Sequence, residues 1–239
     1  MRGLVFNMKI KALQKTTLID YPGKTACTIF LFGCNFRCGF CHNPELVLKE
    51  SGKDISELEV LDFLEKRKKY LDGICITGGE PLMTLNVDFL KRVKEKGYLT
   101  KLDTNGSYPE KLKRFIEKGL IDFVSMDIKT SKEKYSEIAG VVDIDKVEES
   151  IKMVSLLKDY EFRTTIVEGI HSSEDVEKMI KWVYELVGGK IKSFALQGFK
   201  NQGKFIDESY NQKKNTTEAY LKKLKLIVKP YCEKLEIRV

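Results

Sequence analysis

The sequence predicts an α/β fold, a partial (β/α)6 open barrel with a short N-terminal lead and a C-terminal helix, on three observations. From Thr25 onward, short β-branched or aromatic runs alternate with longer amphipathic ones, the pattern of repeated βα units and a parallel sheet. Polar clusters recur where the strand-like runs end, which in parallel barrels is the working rim. No stretch rich in Pro, Gly or Ser divides the 239 residues, so one domain is expected over 1–239, with its barrel core at about 25–200.

Taken in order, residues 1–20 read as an extended lead, and strands are expected near 25–32, 73–77, 99–103, 121–127, 161–166 and 191–197. Helical periodicity fills the gaps near 55–70, 84–96, 108–118, 145–158 and 173–187. Asp54 or Ser56, Ser107, and Ser172 or Ser173 are the candidate N-caps, while Gly97, Gly119 and Gly188-Gly189 sit where helices should stop. A last helix near 214–229 halts at Pro230, and Glu233 to Val239 can add an edge strand.

Composition narrows the function classes. No apolar run approaches the roughly 20 residues that span a bilayer, so no membrane role is expected. Met1 to Lys9 has neither a sustained apolar stretch nor a small-residue cleavage site, so the chain is expected in the cytoplasm, where thiols stay reduced. Net charge is 42 minus 35, or +7, spread as Lys and Arg alternating with Glu on helix faces such as Glu57 to Lys69. That pattern is a solvated surface rather than a nucleic-acid footprint, and it suits docking of an acidic electron donor.

The six cysteines divide unevenly. Cys27, Cys75 and Cys232 fall in or beside apolar runs and read as buried small hydrophobes. Cys34, Cys38 and Cys41 stand at spacings of four and three in a loop after the first strand. Three thiolates are one short of a closed metal site; on a [4Fe–4S] cluster they would leave one iron open to substrate. Cys38-Gly-Phe-Cys41-His42 also fits covalent haem attachment, but that reading needs export and leaves Cys34 idle. A zinc site would need His42, strained beside Cys41, or His171; a thioredoxin-like dithiol should open a helix, and Pro44 interrupts this stretch. One cluster is expected.

The loop does not stand alone. Thr77-Gly-Gly-Glu-Pro81, Asp103-Thr-Asn-Gly106 and Asp127-Ile-Lys129 end the next three strands; Arg163 lies on the fifth and Gln197 closes the sixth. Gly78 and Gly79 permit close backbone approach, and Glu80 can accept from an ammonium group. Asp103, Thr104 and Asp127 supply oxygens that suit a hard cation, although Asp103 and Asn105 also suit a turn and Asp127 with Lys129 a structural ion pair. His171, on a loop after Gly169, is expected at the surface.

The Cys-x3-Cys-x2-Cys spacing with Phe40 before the last cysteine, followed by Gly-Gly-Glu-Pro at the end of strand two, resembles the radical S-adenosylmethionine (SAM) superfamily. Thr17-Leu-Ile-Asp-Tyr-Pro-Gly23, Cys41-His-Asn-Pro44 and the two aspartate motifs further resemble glycyl-radical-enzyme activating enzymes, most of all a longer type of anaerobic ribonucleoside-triphosphate reductase activating protein. The likeness runs from about residue 12 to 200. It implies that Cys34, Cys38 and Cys41 bind a [4Fe–4S] cluster and that S-adenosylmethionine chelates the fourth iron. Glu80 would take its methionine amino group, Phe40 and backbone near His42 its adenine, and Gln197 the adenine side. Asp103, Thr104, the Ser125 carbonyl and Asp127 would hold a monovalent cation, with Lys129 and Arg163 balancing charge and Asn105 nearby.

The expected partners are a glycyl-radical enzyme, with anaerobic ribonucleotide reductase foremost, and a flavodoxin or ferredoxin as electron donor. Two rivals stand beside this reading: a radical SAM enzyme acting on a small molecule, as carboxy-deazaguanine synthases do, and a non-enzymatic metal- or redox-binding protein.

Overall fold

The computed structural model describes residues 8–239, so the first seven residues of the expected lead lie outside the described residues. The strands are β1 (Ile10–Thr17), β2 (Ala26–Leu31), β3 (Gly73–Gly78), β4 (Leu99–Thr104), β5 (Phe123–Asp127), β6 (Tyr160–Ile166), β7 (Ile191–Gly198) and β8 (Cys232–Arg238). They follow chain order in one sheet. Between them run α1 (Glu57–Arg67), α2 (Val87–Glu95), α3 (Pro109–Glu117), α4 (Tyr135–Ala139), α5 (Ile144–Ser155), α6 (Ser173–Val187) and α7 (Glu218–Val228). The α/β alternation expected from the sequence is therefore present. The final strand is confirmed as well, pairing parallel to β7 with Ile191 opposite Cys232. Among the described residues no helix is long and apolar enough to cross a membrane.

The described chain forms two compact units whose segments interleave. The first comprises residues up to Asn35, Glu45–Thr104 and Glu110–Val124. In it β1 lies antiparallel to β2, and β2, β3 and β4 are parallel, with Ala26 opposite Gly73 and Gly73 opposite Leu99. The lead thus ends in a strand where only an extended segment was expected. Ile29, Leu31, Ile74, Ile76 and Leu102 are buried, as are Val60, Leu61 and Leu64 of α1 and Phe89, Leu90 and Val93 of α2. Each such side chain contributes roughly 1.5–3 kcal/mol by leaving water. Of the two caps proposed for α1, Ser56 is the one used. Its hydroxyl accepts from Glu59 N–H at 3.2 Å, and the Glu59 carboxylate accepts from Ser56 N–H at 2.8 Å.

The second unit comprises Phe36–Pro44, Asn105–Pro109 and Ser125–Val239. Here β6, β7 and β8 are parallel, with Phe162 opposite Phe194 and Phe194 opposite Leu235. Helices α5, α6 and α7 bury Val147 and Ile151, Val176 and Ile180, and Leu221 and Leu224. Ser172 caps α6 in a second capping box with Asp175. Ser107 does not cap α3: its backbone N–H and hydroxyl both donate to Asn105 Oδ1, at 3.0 and 2.6 Å. Asn105 is thereby engaged in a local Asx turn. The helix opens instead with Pro109, whose missing N–H is harmless at a first helical position.

Candidate active site

In the first unit, the base of the cysteine loop is bonded to the Gly-Gly-Glu-Pro turn. Gly33, which precedes Cys34, donates its N–H to Leu46 O at 2.8 Å and accepts from Glu80 N–H at 2.7 Å. A Cβ on Gly79 would fall 2.1 Å from Gly33 O, and one on Gly78, at φ 121°, 2.4 Å from Leu31 N. The close approach these glycines allow is therefore that of one backbone to another. Glu80 is buried and caps the short 3-10 turn Pro81–Met83, with Oε1 accepting from Leu82 N–H at 3.0 Å and from the Thr104 hydroxyl at 2.9 Å. Asp103 accepts from Thr77 Oγ1 at 3.1 Å and pairs with Lys101, a lysine 2% exposed on the same strand.

In the second unit, Phe36 to His42 carry Cys38 and Cys41. Cys41 N–H donates to Cys38 O at 3.0 Å, closing a single tight turn between the two cysteines. Helix α4 braces this segment: Arg37 N–H donates to Ala139 O at 2.8 Å, and the rings of Phe36 and Tyr135 meet edge to face at 6.3 Å. Phe40, 4% exposed, packs against His171 and Tyr210, and the His42 ring stacks on Phe199 at 5.7 Å. Burial pushes the Cys38 thiol above its usual range, while the Lys129 charge pulls toward the thiolate.

Asp127 accepts from Arg163 Nε at 2.5 Å and from Lys129 Nζ at 3.0 Å. Burial opposes its ionisation, but these two cations outweigh it and hold the carboxyl well below the usual carboxylate range. Burial likewise works against the Lys129 ammonium, and the Asp127 charge more than restores it. Gln197 sits on β7 between Thr165 and Arg238 in register.

The residues fit the group the sequence implies by the chemistry of the donor set. All six cysteines are thiols rather than disulfides. Cys27, Cys75 and Cys232 are buried with thiols pushed up to about 12, inert packing as expected. The loop cysteines remain for iron, and a lysine beside Cys38 favours the form that binds it. Among the described residues no three His, Cys, Asp or Glu side chains already converge as a metal set, so the thiolate spacing carries the assignment. For the cation, the buried Ser125 hydroxyl lacks a hydrogen-bond partner, whereas Lys101 already compensates Asp103, and Arg163 and Lys129 compensate Asp127.

His171 departs from expectation. It is 1% exposed rather than at the surface. Its Nδ1 accepts from Val167 N–H at 3.0 Å, so Nε2 carries the proton and donates to Lys129 O at 2.9 Å. Two backbone bonds make burial of a polar ring tolerable, and neither is visible in a linear motif. Sequence reasoning also passed over Lys101, which reads as one more strand residue, and Tyr135, whose helix is too short to show a period.

The model of the Radical SAM superfamily matches residues 28–183. A Methanocaldococcus jannaschii protein provisionally named a glycyl-radical enzyme activating enzyme is 32% identical over 239 residues, covering 96% of this chain and 95% of its own. The pyruvate formate-lyase-activating enzyme of Clostridium pasteurianum is 35% identical over 131 residues, 51% of this chain and 52% of that one. Among solved structures, a domain of pyruvate-formate lyase-activating enzyme from Bacteroides vulgatus superimposes with a TM-score of 0.53 at 16% identity, covering 70% of this chain and 99% of that domain. TYW1 with a lysine-pyruvate adduct bound gives 0.63 at 14% identity, covering 87% of this chain and 74% of that one. These two show the fold alone.

Proposed function

Because the chain belongs to the radical SAM superfamily, we propose that it is an activase that installs a glycyl radical on a partner enzyme, with anaerobic ribonucleotide reductase as the partner. The observation that carries this reading is the Gly33–Glu80 bond, which ties the cysteine loop to the Gly-Gly-Glu-Pro turn in a chain similar over nearly its whole length to a protein of that name. When bound, the cluster and S-adenosylmethionine would supply the radical chemistry: reductive cleavage of the cofactor coupled to removal of a hydrogen atom from a glycine Cα of the partner, with methionine and 5′-deoxyadenosine as the co-products.

The chain's own residues bind and orient. Cys34, Cys38 and Cys41 would hold iron as thiolates. Glu80, fixed by Thr104 and Leu82, presents a carboxylate to the methionine ammonium. Phe40 and the backbone near His42 would lie beside adenine, and Gln197 would contact the adenine side. Asn105 shapes the turn that follows Asp103 and Thr104 on β4. Asp103, Thr104, the Ser125 carbonyl and Asp127 would be the oxygen donors for any monovalent cation, which would have to compete with Lys101 for one carboxylate and with Arg163 and Lys129 for the other. The net charge of +7 suits an acidic flavodoxin or ferredoxin as electron donor.

The test is anaerobic reconstitution with iron and sulfide, reduction, and addition of S-adenosylmethionine, following 5′-deoxyadenosine by chromatography with Cys38→Ala as control. Product that vanishes in the variant supports radical chemistry. Adding anaerobic ribonucleotide reductase should then give a glycyl-radical EPR doublet; cleavage without a doublet there, but with one on pyruvate formate-lyase, moves the activase to that partner.

A further inference from the structure

Residues 199–216 belong to none of the motifs above, yet they form a closed loop against the cysteine segment. Thr216 N–H donates to Phe199 O at 3.0 Å and shuts the loop. Asn201 braces its interior, donating through Nδ2 to Asn211 O at 2.9 Å and Lys213 O at 2.7 Å, and through its backbone N–H to Asn215 Oδ1 at 2.7 Å. Such self-packed surface loops keep their shape without regular secondary structure.

The loop meets the segment between Cys38 and Cys41. Asp207 N–H donates to Gly39 O at 3.1 Å. The Tyr210 ring lies 6.0 Å from that of Phe40, and the Phe205 ring 5.4 Å from that of His42. Phe199, Phe205 and Tyr210 are all buried. A Cβ on Gly39 would stand 2.7 Å from Tyr210 Cε2, closer than side chains tolerate, and a tight 3.2 Å from Asp207 Cβ. Gly39 is therefore required by this contact: the Cys-Gly-Phe-Cys spacer and the loop are shaped to each other.

We propose that the 199–216 loop, through Tyr210 and Asp207, is a positioning element for the thiols of Cys38 and Cys41, fixing the backbone between them and keeping water from Cys38. Its consequence for a cluster rests on the activase reading; its geometry does not. Water and hydrogen bonds around cluster thiolates tune its potential. Water stabilises the more negative reduced form of a cluster, so by excluding it the loop would keep the potential of a bound cluster low.

The experiment alkylates the full-length, metal-free protein with iodoacetamide and follows each cysteine by peptide mass spectrometry. Tyr210→Ala should speed modification of Cys38 at least tenfold, with Cys27, Cys75 and Cys232 still protected, and Tyr210→Phe should stay near wild type. Gly39→Ala should also speed Cys38, and adding it to Tyr210→Ala should change little, because the ring it collides with is gone. An unchanged Cys38 rate in both single variants overturns the proposal, as does equal acceleration of all buried cysteines, which would mark general loosening. In reconstituted protein the cluster midpoint potential should rise in Tyr210→Ala, and an unmoved potential overturns the tuning role. Absence of 5′-deoxyadenosine in wild type would defeat the activase reading while leaving the alkylation result intact.

Discussion

The Thr104 hydroxyl donates to Glu80 Oε1 at 2.9 Å, joining the end of β4 to the turn that follows β3, with both groups buried. Removing the donor while keeping the shape isolates that bond. Thr104→Val should lower stability by about 1–3 kcal/mol in urea unfolding, because a buried acceptor loses a partner. It should also weaken S-adenosylmethionine binding to the reconstituted protein several-fold by equilibrium dialysis. Glu80→Gln, which keeps the volume and removes the charge, should weaken binding more. Equal affinity in Glu80→Gln would remove the ammonium role.

Lys101 gives Asp103 a cation from within the chain. Replacing potassium with tetramethylammonium should leave S-adenosylmethionine affinity of the wild type within about twofold, since a partly buried carboxylate already paired with Lys101 has little need of another charge. Lys101→Met should lose affinity in tetramethylammonium and recover it in potassium or sodium. A wild type that already depends on small cations would show that Lys101 does not substitute for one.

Asp127 makes stability sensitive to strong acid. Its folded pKa lies below the ordinary unfolded value near 3.9, so the unfolded chain binds the proton first as pH falls. The stabilisation is complete above that value and drains away as pH drops toward the folded pKa. Arg163→Met should cost roughly 2–4 kcal/mol, less than breaking a fully enclosed pair because Asp127 keeps some exposure, and should move the acid-unfolding midpoint upward. Circular dichroism between pH 4 and 2 reads the shift, and coincident curves would assign the pair no role.

His171 acts in a milder range. Burial lowers its pKa below 6.5, so the folded state holds the neutral ring while an unfolded chain takes a proton. Stability from this residue is full above pH 6.5 and is lost as pH falls below it. The urea midpoint should be lower at pH 5.5 than at 7.5. His171→Phe should be less stable at both values, with a smaller difference between them; His42, also lowered by burial, retains part of the slope. An undiminished difference would point to other groups.

These outcomes draw on features of uneven legibility. The strands of the βα repeat and most helix ends were readable because burial on both faces writes continuous apolar runs and because Ser56 and Ser172 carry their capping partners three residues on. Strand β1 left no such trace: most of Ile10–Thr17 is at least partly exposed, so no two-residue period of apolar side chains marks it. The cysteine, glycine and aspartate motifs were found by residue type and spacing. The Lys101–Asp103 pair is local, two residues apart on one face of β4, but a lysine inside a strand run carries no signal of burial; the bond of His171 to Lys129 and the fit of Tyr210 to Gly39 depend on positions only folding brings together.

Most of the chain separates Gly39 from Asp207 and Tyr210, which sets an order of events in the cell. At roughly 5–20 residues per second, a ribosome exposes Cys38 and Cys41 on the order of ten seconds before it makes the loop that covers them. During that interval the thiols are open to iron donors and oxidants alike. The length of that interval is thus written into the distance, along the chain, between a glycine and the tyrosine that leaves it no room for a side chain.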